Sequence, residues 1–281
     1  MQIFVTGATG YIGSAVVQEL IQAGHKVIGL TRSKEGVKKL ENVGAEALIG
    51  TLKDTECLCK GASMAEGVVH LAFSHDFSDF AGSLAADLNV INTIGETLID
   101  TGKPFVTTAH ANGDASDKAT LALADRGVRS AVISLAPSVH SDADSHGFIP
   151  RLISIARSKG VSAYVEDGTN RWPAIHRLDA AKLYRLAIEK APAGSYFTGR
   201  SEEGIPFREI ASAIGKHLNI PVVSISREEA DEHFGFLGAL AALDFPSVAP
   251  GNSAQTKEIL GWKPVQPGLI ADLELGHYFS M

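Results

Sequence analysis

The chain has few cysteines, no long apolar run and no surplus of positive charge, and each absence removes a class of protein. Only Cys57 and Cys59 occur. One residue apart, they are too close for ordinary disulfide geometry and lack nearby ligands that would complete a zinc site, so they read as reduced structural thiols and no metal is expected. No apolar stretch reaches the roughly 18 residues that mark a membrane helix. The first strand-like run begins at Gln2, which leaves no room before it for a secretory leader. The expectation is a cytoplasmic protein with no membrane partner. The 25 Lys and Arg against 32 Asp and Glu give a formal net charge of −7, and no dense basic cluster offsets it, which argues against nucleic acid as a partner. Repeats and low-complexity segments are also missing. What remains is a chain of 281 residues, 45% hydrophobic, able to bury a full core.

The most informative segment that is present is Val5-Thr6-Gly7-Ala8-Thr9-Gly10-Tyr11-Ile12-Gly13, directly behind the apolar run Ile3-Phe4-Val5. Gly7 permits the positive φ of a tight strand-to-helix turn, Gly10 lets main chain approach a pyrophosphate, and Gly13 allows close helix–strand packing. Ile12, Val16, Val17, Leu20 and Ile21 then repeat on one helical face, and Lys26–Leu30 follows as a second strand. This is a βαβ unit whose glycine turn offers amides to an anion at a helix start.

Strand-like runs continue at 47–49, 68–72, 104–108 and 130–135, separated by helical patterns such as 84–99. The rhythm predicts a doubly wound α/β fold with a parallel sheet. After Pro137 the pattern becomes mixed. Helices are expected at 148–157, at 179–189 with Asp179 as N-cap, and at 205–218, and strands at 161–165 and 221–225. The expected organisation is a dinucleotide-binding domain over 1–145 and a smaller mixed α/β region over 146–281 that covers substrate, with helix 179–190 packing back on the first domain. The run Phe234–Leu243 is too short to span a bilayer and reads by default as a buried helix, with an apolar lid or an oligomer contact as alternatives.

The glycine cradle, Arg32 after strand two, the strand ending His70-Leu71-Ala72 and the block Trp172–Ala181 together resemble the extended and atypical short-chain dehydrogenase/reductases. Within them the chain is similar to uncharacterised fungal and bacterial proteins of an NAD-dependent epimerase/dehydratase-like group, through Phe73–Phe77, Gly204–Ile210 and Leu260–Pro264. The resemblance covers nearly the whole chain and implies a Rossmann domain with an NAD(P) site. It implies that Gly7, Thr9, Gly10, Tyr11, Ile12 and Gly13 hold the pyrophosphate, and that Leu71, Ala72 and Phe73 pass beneath the ribose and nicotinamide side. Leu52 belongs to the adenine side, where Thr51 stands in place of the relatives' Asp. Pro137, Ser138 and Val139 meet the nicotinamide carboxamide.

Strand two ends without the carboxylate that would accept from a ribose 2′-OH and repel a 2′-phosphate. Arg32 offers a forked guanidinium instead, with Ser33 as a hydroxyl donor and Lys34 adding charge, so NADP(H) is favoured over NAD(H). The other reading is that Arg32 and Lys34 are the solvated start of the next helix.

Relatives pair a Tyr with a Lys four residues later, and that pair is missing here: none of Tyr11, Tyr164, Tyr184, Tyr196 or Tyr278 has it. Asp114 and Lys118 have the spacing, but the segment is short and reads as a solvated helix start capped by Asp114 or Ser116. The run Thr107-Thr108-Ala109-His110 puts His110 about where the relatives' hydroxyl falls. His110 is a candidate proton donor and Thr108 a candidate holder of substrate oxygen and neighbour of the cofactor. The alternative for His110 is a polar loop residue. His75, three residues beyond Ala72, is a candidate substrate contact or the flank of a helix cap. Trp172 and His176 are candidates for the substrate cleft, or Trp172 packs under a loop. His70 reads as a satisfied core histidine, and the His140–His146 segment as a surface loop rather than a metal site.

The leading functional expectation is an NADP-dependent oxidoreductase moving hydride to or from a small, largely apolar carbonyl, imine or activated alkene, as a monomer or homodimer. A non-catalytic NADP(H)-binding redox sensor and a cofactor-assisted epimerase or dehydratase are the alternatives.

Overall fold

A computed structural model of the chain describes residues 1–74, 79–248 and 252–280. Its strands are β1 (Gln2–Thr6), β2 (Lys26–Thr31), β3 (Glu46–Ile49), β4 (Gly67–His70), β5 (Pro104–Thr108), β6 (Arg129–Leu135), β7 (Ser138–His140), β8 (Ser162–Val165), β9 (Arg171–His176), β10 (Ser195–Gly199), β11 (Glu202–Pro206) and β12 (Val222–Ile225). The longer helices are α1 (Tyr11–Gln22), α2 (Lys34–Asn42), α3 (Thr55–Met64), α4 (Phe80–Leu98), α5 (Asp114–Ala122), α6 (Phe148–Lys159), α7 (Arg177–Lys190) and α8 (Phe207–Leu218).

The chain forms two units that interleave along the sequence. Unit 1 takes Met1–Ser134, Ala180–Thr198 and Ala254–Lys263, and unit 2 the described parts of Leu135–Asp179, Gly199–Ser253 and Pro264–Met281. The chain thus leaves unit 1 near the end of β6, earlier than residue 145, and re-enters it within α7.

Unit 1 is built on a seven-stranded sheet in the order β10-β6-β5-β4-β1-β2-β3, and the neighbours from β6 through to β3 pair in parallel. With helices flanking it, this is the doubly wound α/β class, and its strand order reverses between β1 and β4. Ile3, Phe4 and Val5 are wholly buried, as expected of a central parallel strand covered on both faces. Phe4, Ile28, Leu58, Val68, Val90, Ile91, Ile94 and Phe105 form one apolar core, with α4 contributing positions 90, 91, 94 and 98. From Ala180 onward α7 belongs to this unit and buries Ala180, Leu183, Tyr184, Ala187 and Ile188. Its C-terminal end is held by the Arg129 guanidinium, which donates to the carbonyls of Ile188 (2.7 Å) and Ala191 (3.0 Å). These are carbonyls that a helix end leaves without intrahelical partners.

Unit 2 has a three-stranded sheet ordered β11-β9-β7 and a two-stranded pair β12-β8. β9 runs antiparallel to β11 and parallel to β7. Trp172 is the largest side chain of its core, wholly buried, with edge-on contacts to Phe148, Phe207 and Phe245 and its indole N–H donated to the Leu240 carbonyl at 3.0 Å. The indole therefore packs rather than presents itself to a ligand, which corrects its assignment as a cleft residue.

Three local expectations also change. α7 starts at Arg177, so Asp179 sits in its first turn rather than at its cap, and its carboxylate accepts the Val265 and Gln266 amides at 3.0 Å each. α5 has Gly113 at its N-cap and no capping side chain; Asp114 and Ser116 both lie inside its first turn, and Ser116 donates to Asp87. The Phe234–Leu243 run is broken into short turns rather than one helix, with Leu237 and Ala241 buried and Phe236 exposed.

Candidate functional site

The glycine turn between β1 and α1 has the geometry that a phosphate cradle requires. Gly7 has φ +68°, and a Cβ there would lie 2.8 Å from the Ala72 nitrogen, so the segment after β4 runs directly against it. A Cβ at Gly13 would stand 2.0 Å from the Gly7 carbonyl oxygen, which no side chain tolerates. The Gly10 amide donates to the Gly7 carbonyl at 2.9 Å and closes the turn. α1 then starts with no side-chain cap and no acidic residue in its first turn. A helix N-terminus left in this state favours an anion through its amides and its dipole. The residues present therefore fit a dinucleotide pyrophosphate, and Thr9 and Ile12 of the same segment are half-buried.

At the end of β2, Arg32, Ser33 and Lys34 are all exposed. Ser33 caps α2 by accepting the Gly36 amide at 3.0 Å. An oxygen that accepts still has its own proton to donate, so capping and phosphate binding are compatible. In the segment after β3, the Thr51 hydroxyl accepts the Lys53 amide at 3.3 Å, and Leu52 is half-buried against the core.

Beneath the β4 end lies a buried polar chain. Thr6 Oγ1 accepts the amides of Leu71 and Ala72, each at 3.3 Å, so its proton goes to His70 Nδ1 at 2.6 Å. His70 Nε2 then donates to Asp87 Oδ1 at 3.1 Å, and Ser116 donates to Asp87 Oδ2 at 2.6 Å. Burial pushes the Asp87 carboxyl up, but hydrogen bonds from His70 and Ser116 and the charge of His110 outweigh it and hold the group below the usual carboxylate range. Asp87 is thus a buried anion at neutral pH. The segment that borders the cradle is fixed to it through His70 and Thr6.

His110, beyond the end of β5, is stacked on Phe73 with ring centroids 3.9 Å apart, and its Nε2 lies 3.7 Å from Asp87 Oδ1. Its side chain keeps 16% of its surface accessible. Thr108 donates to the His70 carbonyl at 3.2 Å and accepts the Tyr184 hydroxyl at 2.7 Å. Its proton is committed, and in this arrangement Thr108 anchors β5 rather than donating to a substrate. Tyr184 is wholly buried, and burial raises its phenol pKa far above the ordinary value despite the Thr108 hydrogen bond, so it does not replace the relatives' Tyr. Lys118 is exposed on α5. Nearby, the Asp117 carboxyl is pushed up to about 6 by burial and then by the charges of Asp114 and Asp87.

In unit 2, Ser138 and Val139 belong to β7, with Pro137 just before it, and Ser138 is buried. His176 ends β9 and accepts the Leu178 amide at Nδ1, 3.2 Å away. His140, expected in a surface loop, is instead the last residue of β7, wholly buried and 2.7 Å from Asp272 through Nδ1. His75 lies outside the described residues.

Sequence reasoning missed Asp87, Ser116 and the His140–Asp272 pair. Asp87 had a legible signal: it is an acid in register with Val90, Ile91 and Ile94 on the buried face of α4. Asp272 had none, being 132 residues from its partner.

The fold and the glycine turn define a nucleotide-coenzyme-binding α/β protein, and comparison with known proteins makes that specific. Residues 3–99 match the model of the NAD dependent epimerase/dehydratase family. An uncharacterised protein of Schizosaccharomyces pombe is 45% identical over 300 residues, spanning 99% of this chain and all of that protein. The chain belongs to this family, in the extended short-chain dehydrogenase/reductase group. A 2-alkyl-3-oxoalkanoate reductase of Stenotrophomonas maltophilia is 26% identical over 260 residues, covering 79% of this chain and 77% of the reductase. A crystal structure of a dTDP-glucose 4,6-dehydratase from Streptomyces venezuelae with NAD bound shares the fold, with a TM-score of 0.74 at 17% identity, covering all of this chain and 97% of that one.

Proposed function

We propose that the protein is an NADP(H)-dependent reductase of small, largely apolar carbonyl, imine or activated alkene compounds, with His110 supplying the proton. The observation that carries the reading is the pairing of a partly accessible imidazole with a buried carboxylate 3.7 Å away, beyond the carboxyl end of β5. In open α/β sheets ligands sit at that end of the strands.

When bound, the coenzyme supplies the hydride. The chain's own residues do the rest. Gly7, Thr9, Gly10, Tyr11, Ile12 and Gly13 hold the pyrophosphate, and the exposed Arg32 and Ser33 take the 2′-phosphate, with Leu52 on the adenine side. Leu71, Ala72 and Phe73 pass beneath the ribose. Asp87 stabilises the imidazolium of His110, which gives its proton to the substrate oxygen or nitrogen as carbon gains hydride, and is reprotonated from solvent. The 2-alkyl-3-oxoalkanoate reductase among the relatives supports reduction of a carbonyl. A cytoplasmic setting, with the protein as monomer or homodimer, accords with this reading.

The missing Tyr–Lys pair favours a second reading, a protein that holds NADP(H) without turnover. NADPH oxidation by the wild type and His110→Gln, across a panel of aldehydes, ketones, imines and enones, separates them. Turnover that falls roughly 100- to 10,000-fold in the variant, with unchanged NADPH binding, is expected of a general acid. Binding without consumption across the panel contradicts the reductase reading, and turnover indifferent to His110 contradicts its role as proton donor.

A further inference from the structure

The second buried His–Asp pair, in unit 2, has a ring nitrogen with no hydrogen-bond partner among the described residues. Asp272 lies on the helix Leu269–Glu274, and its Oδ2 is 2.7 Å from His140 Nδ1. A carboxylate only accepts, so Nδ1 carries a proton, and in the singly protonated ring Nε2 is an acceptor. That Nε2 is buried and makes no hydrogen bond with any described protein group. Two residues earlier on the same strand, the Ser138 hydroxyl is likewise buried and unpaired. Alternation along β7 puts both on one face. The register pairs Ser138 with Ala174 and His140 with His176 on β9, and the two imidazoles meet edge-on at 5.3 Å.

Leaving such groups unpaired costs about 1–3 kcal/mol each, and native interiors seldom retain them without a purpose. His176 does not relieve His140: its Nδ1 already accepts the Leu178 amide, and burial holds its imidazole below the usual range against the pull of Asp272, Asp179 and Asp142. His277 approaches the other oxygen of Asp272 only to 3.8 Å, so the carboxylate remains directed at His140.

We propose that Ser138 and His140 form a polar binding subsite on this face of β7 for the hydroxyl group of a neutral organic alcohol. The alcohol donates its proton to His140 Nε2, and its oxygen accepts from Ser138. The electrostatics exclude an anion. Asp272 and the buried Asp144 already place carboxylates around the imidazole, and burial pushes the Asp144 carboxyl up against hydrogen bonds from Gly147, His146 and Tyr278. A neutral donor adds no like charge. The subsite does not depend on the reductase reading, since it requires neither coenzyme nor turnover.

The test is a titration of the full chain, labelled with ¹⁵N-histidine, with 1-phenylethanol and separately with ethylbenzene, following the His140 ring nitrogens by NMR. His140→Gln identifies the resonance by its loss; if that variant does not fold, Asp272→Asn identifies it by its displacement. The alcohol is expected to move the Nε2 signal and the hydrocarbon to leave it in place. Ser138→Ala is expected to weaken the alcohol's effect about fivefold, the equivalent of one neutral hydrogen bond near 1 kcal/mol. The proposal is overturned by a signal that ignores the alcohol, by equal responses to both compounds, by unchanged affinity in Ser138→Ala, or by a shift with NADPH alone, which would give the face to the coenzyme.

Discussion

Each unit of the protein contains a buried histidine joined to a buried aspartate, and the two pairs differ in what the far ring nitrogen does. In unit 1, His70 has Asp87 at Nε2 and Thr6 at Nδ1, and Thr6 in turn receives two main-chain amides. Every polar group is answered, and the pair works as a clamp on the segment that borders the glycine cradle. In unit 2, His140 has Asp272 at Nδ1 and no protein partner at Nε2. The same two residue types make a structural fixture when both nitrogens are satisfied and leave a polar atom unpaired when one is not. His110, close to Asp87 yet partly accessible, shares the first pair's carboxylate while facing outward.

The largest consequence of this difference is expected from removing the carboxylates. Asp87→Ala strips partners from both His70 and Ser116 and leaves a buried ring without compensation, so it should cost about 3–5 kcal/mol by denaturant unfolding. Asp272→Ala should cost less, about 1–3 kcal/mol, because it frees one hydrogen bond only. Equal losses would mean that the second pair is as closed as the first. The Asp87 contribution also has a pH signature. Its folded pKa is depressed, so the stabilisation is complete above the unfolded value of about 4 and is lost as pH falls through the lower folded value.

The smallest effect concerns Asp117, whose pKa moves the opposite way, to about 6. The folded state then binds a proton more tightly than the unfolded chain, so the ionised carboxylate opposes folding progressively between about pH 4 and pH 6. Asp117→Asn should raise the unfolding midpoint above pH 6 and leave it unchanged near pH 4. A gain that is the same at both pH values would show that ionisation of this carboxyl, disfavoured by burial and then by the charges of Asp114 and Asp87, is not its origin.

The features legible in the sequence are those whose causes are local. Gly7, Gly10 and Gly13 are read from a short segment because the turn, the helix start and the close packing are decided there. Parallel strands are legible because Ile3–Val5 and Val68–Val69 are apolar on both faces. Buried polar partnerships were not, because they join residues far apart: Thr6 to His70, Asp87 to Ser116, His140 to Asp272. Trp172 shows the same limit from the other side, since its burial depends on Phe148, Phe207 and Phe245, each on a separate element. A helix start can mislead as well. Asp179 and Ser116 have the right chemistry for caps, but tertiary donors and acceptors claim their side chains.

The central claim is that the β1–α1 turn binds a pyridine dinucleotide and that Arg32 selects the one with a 2′-phosphate. Calorimetric titration of the wild type and Arg32→Ala with NADPH and NADH tests it directly. The account predicts tighter binding of NADPH by the wild type and a loss of roughly 10- to 100-fold in NADPH affinity in the variant, the value of a charge-assisted hydrogen bond of about 1.5–3 kcal/mol, with NADH little changed. Absence of heat with either dinucleotide, or a preference that survives the loss of Arg32, would contradict it.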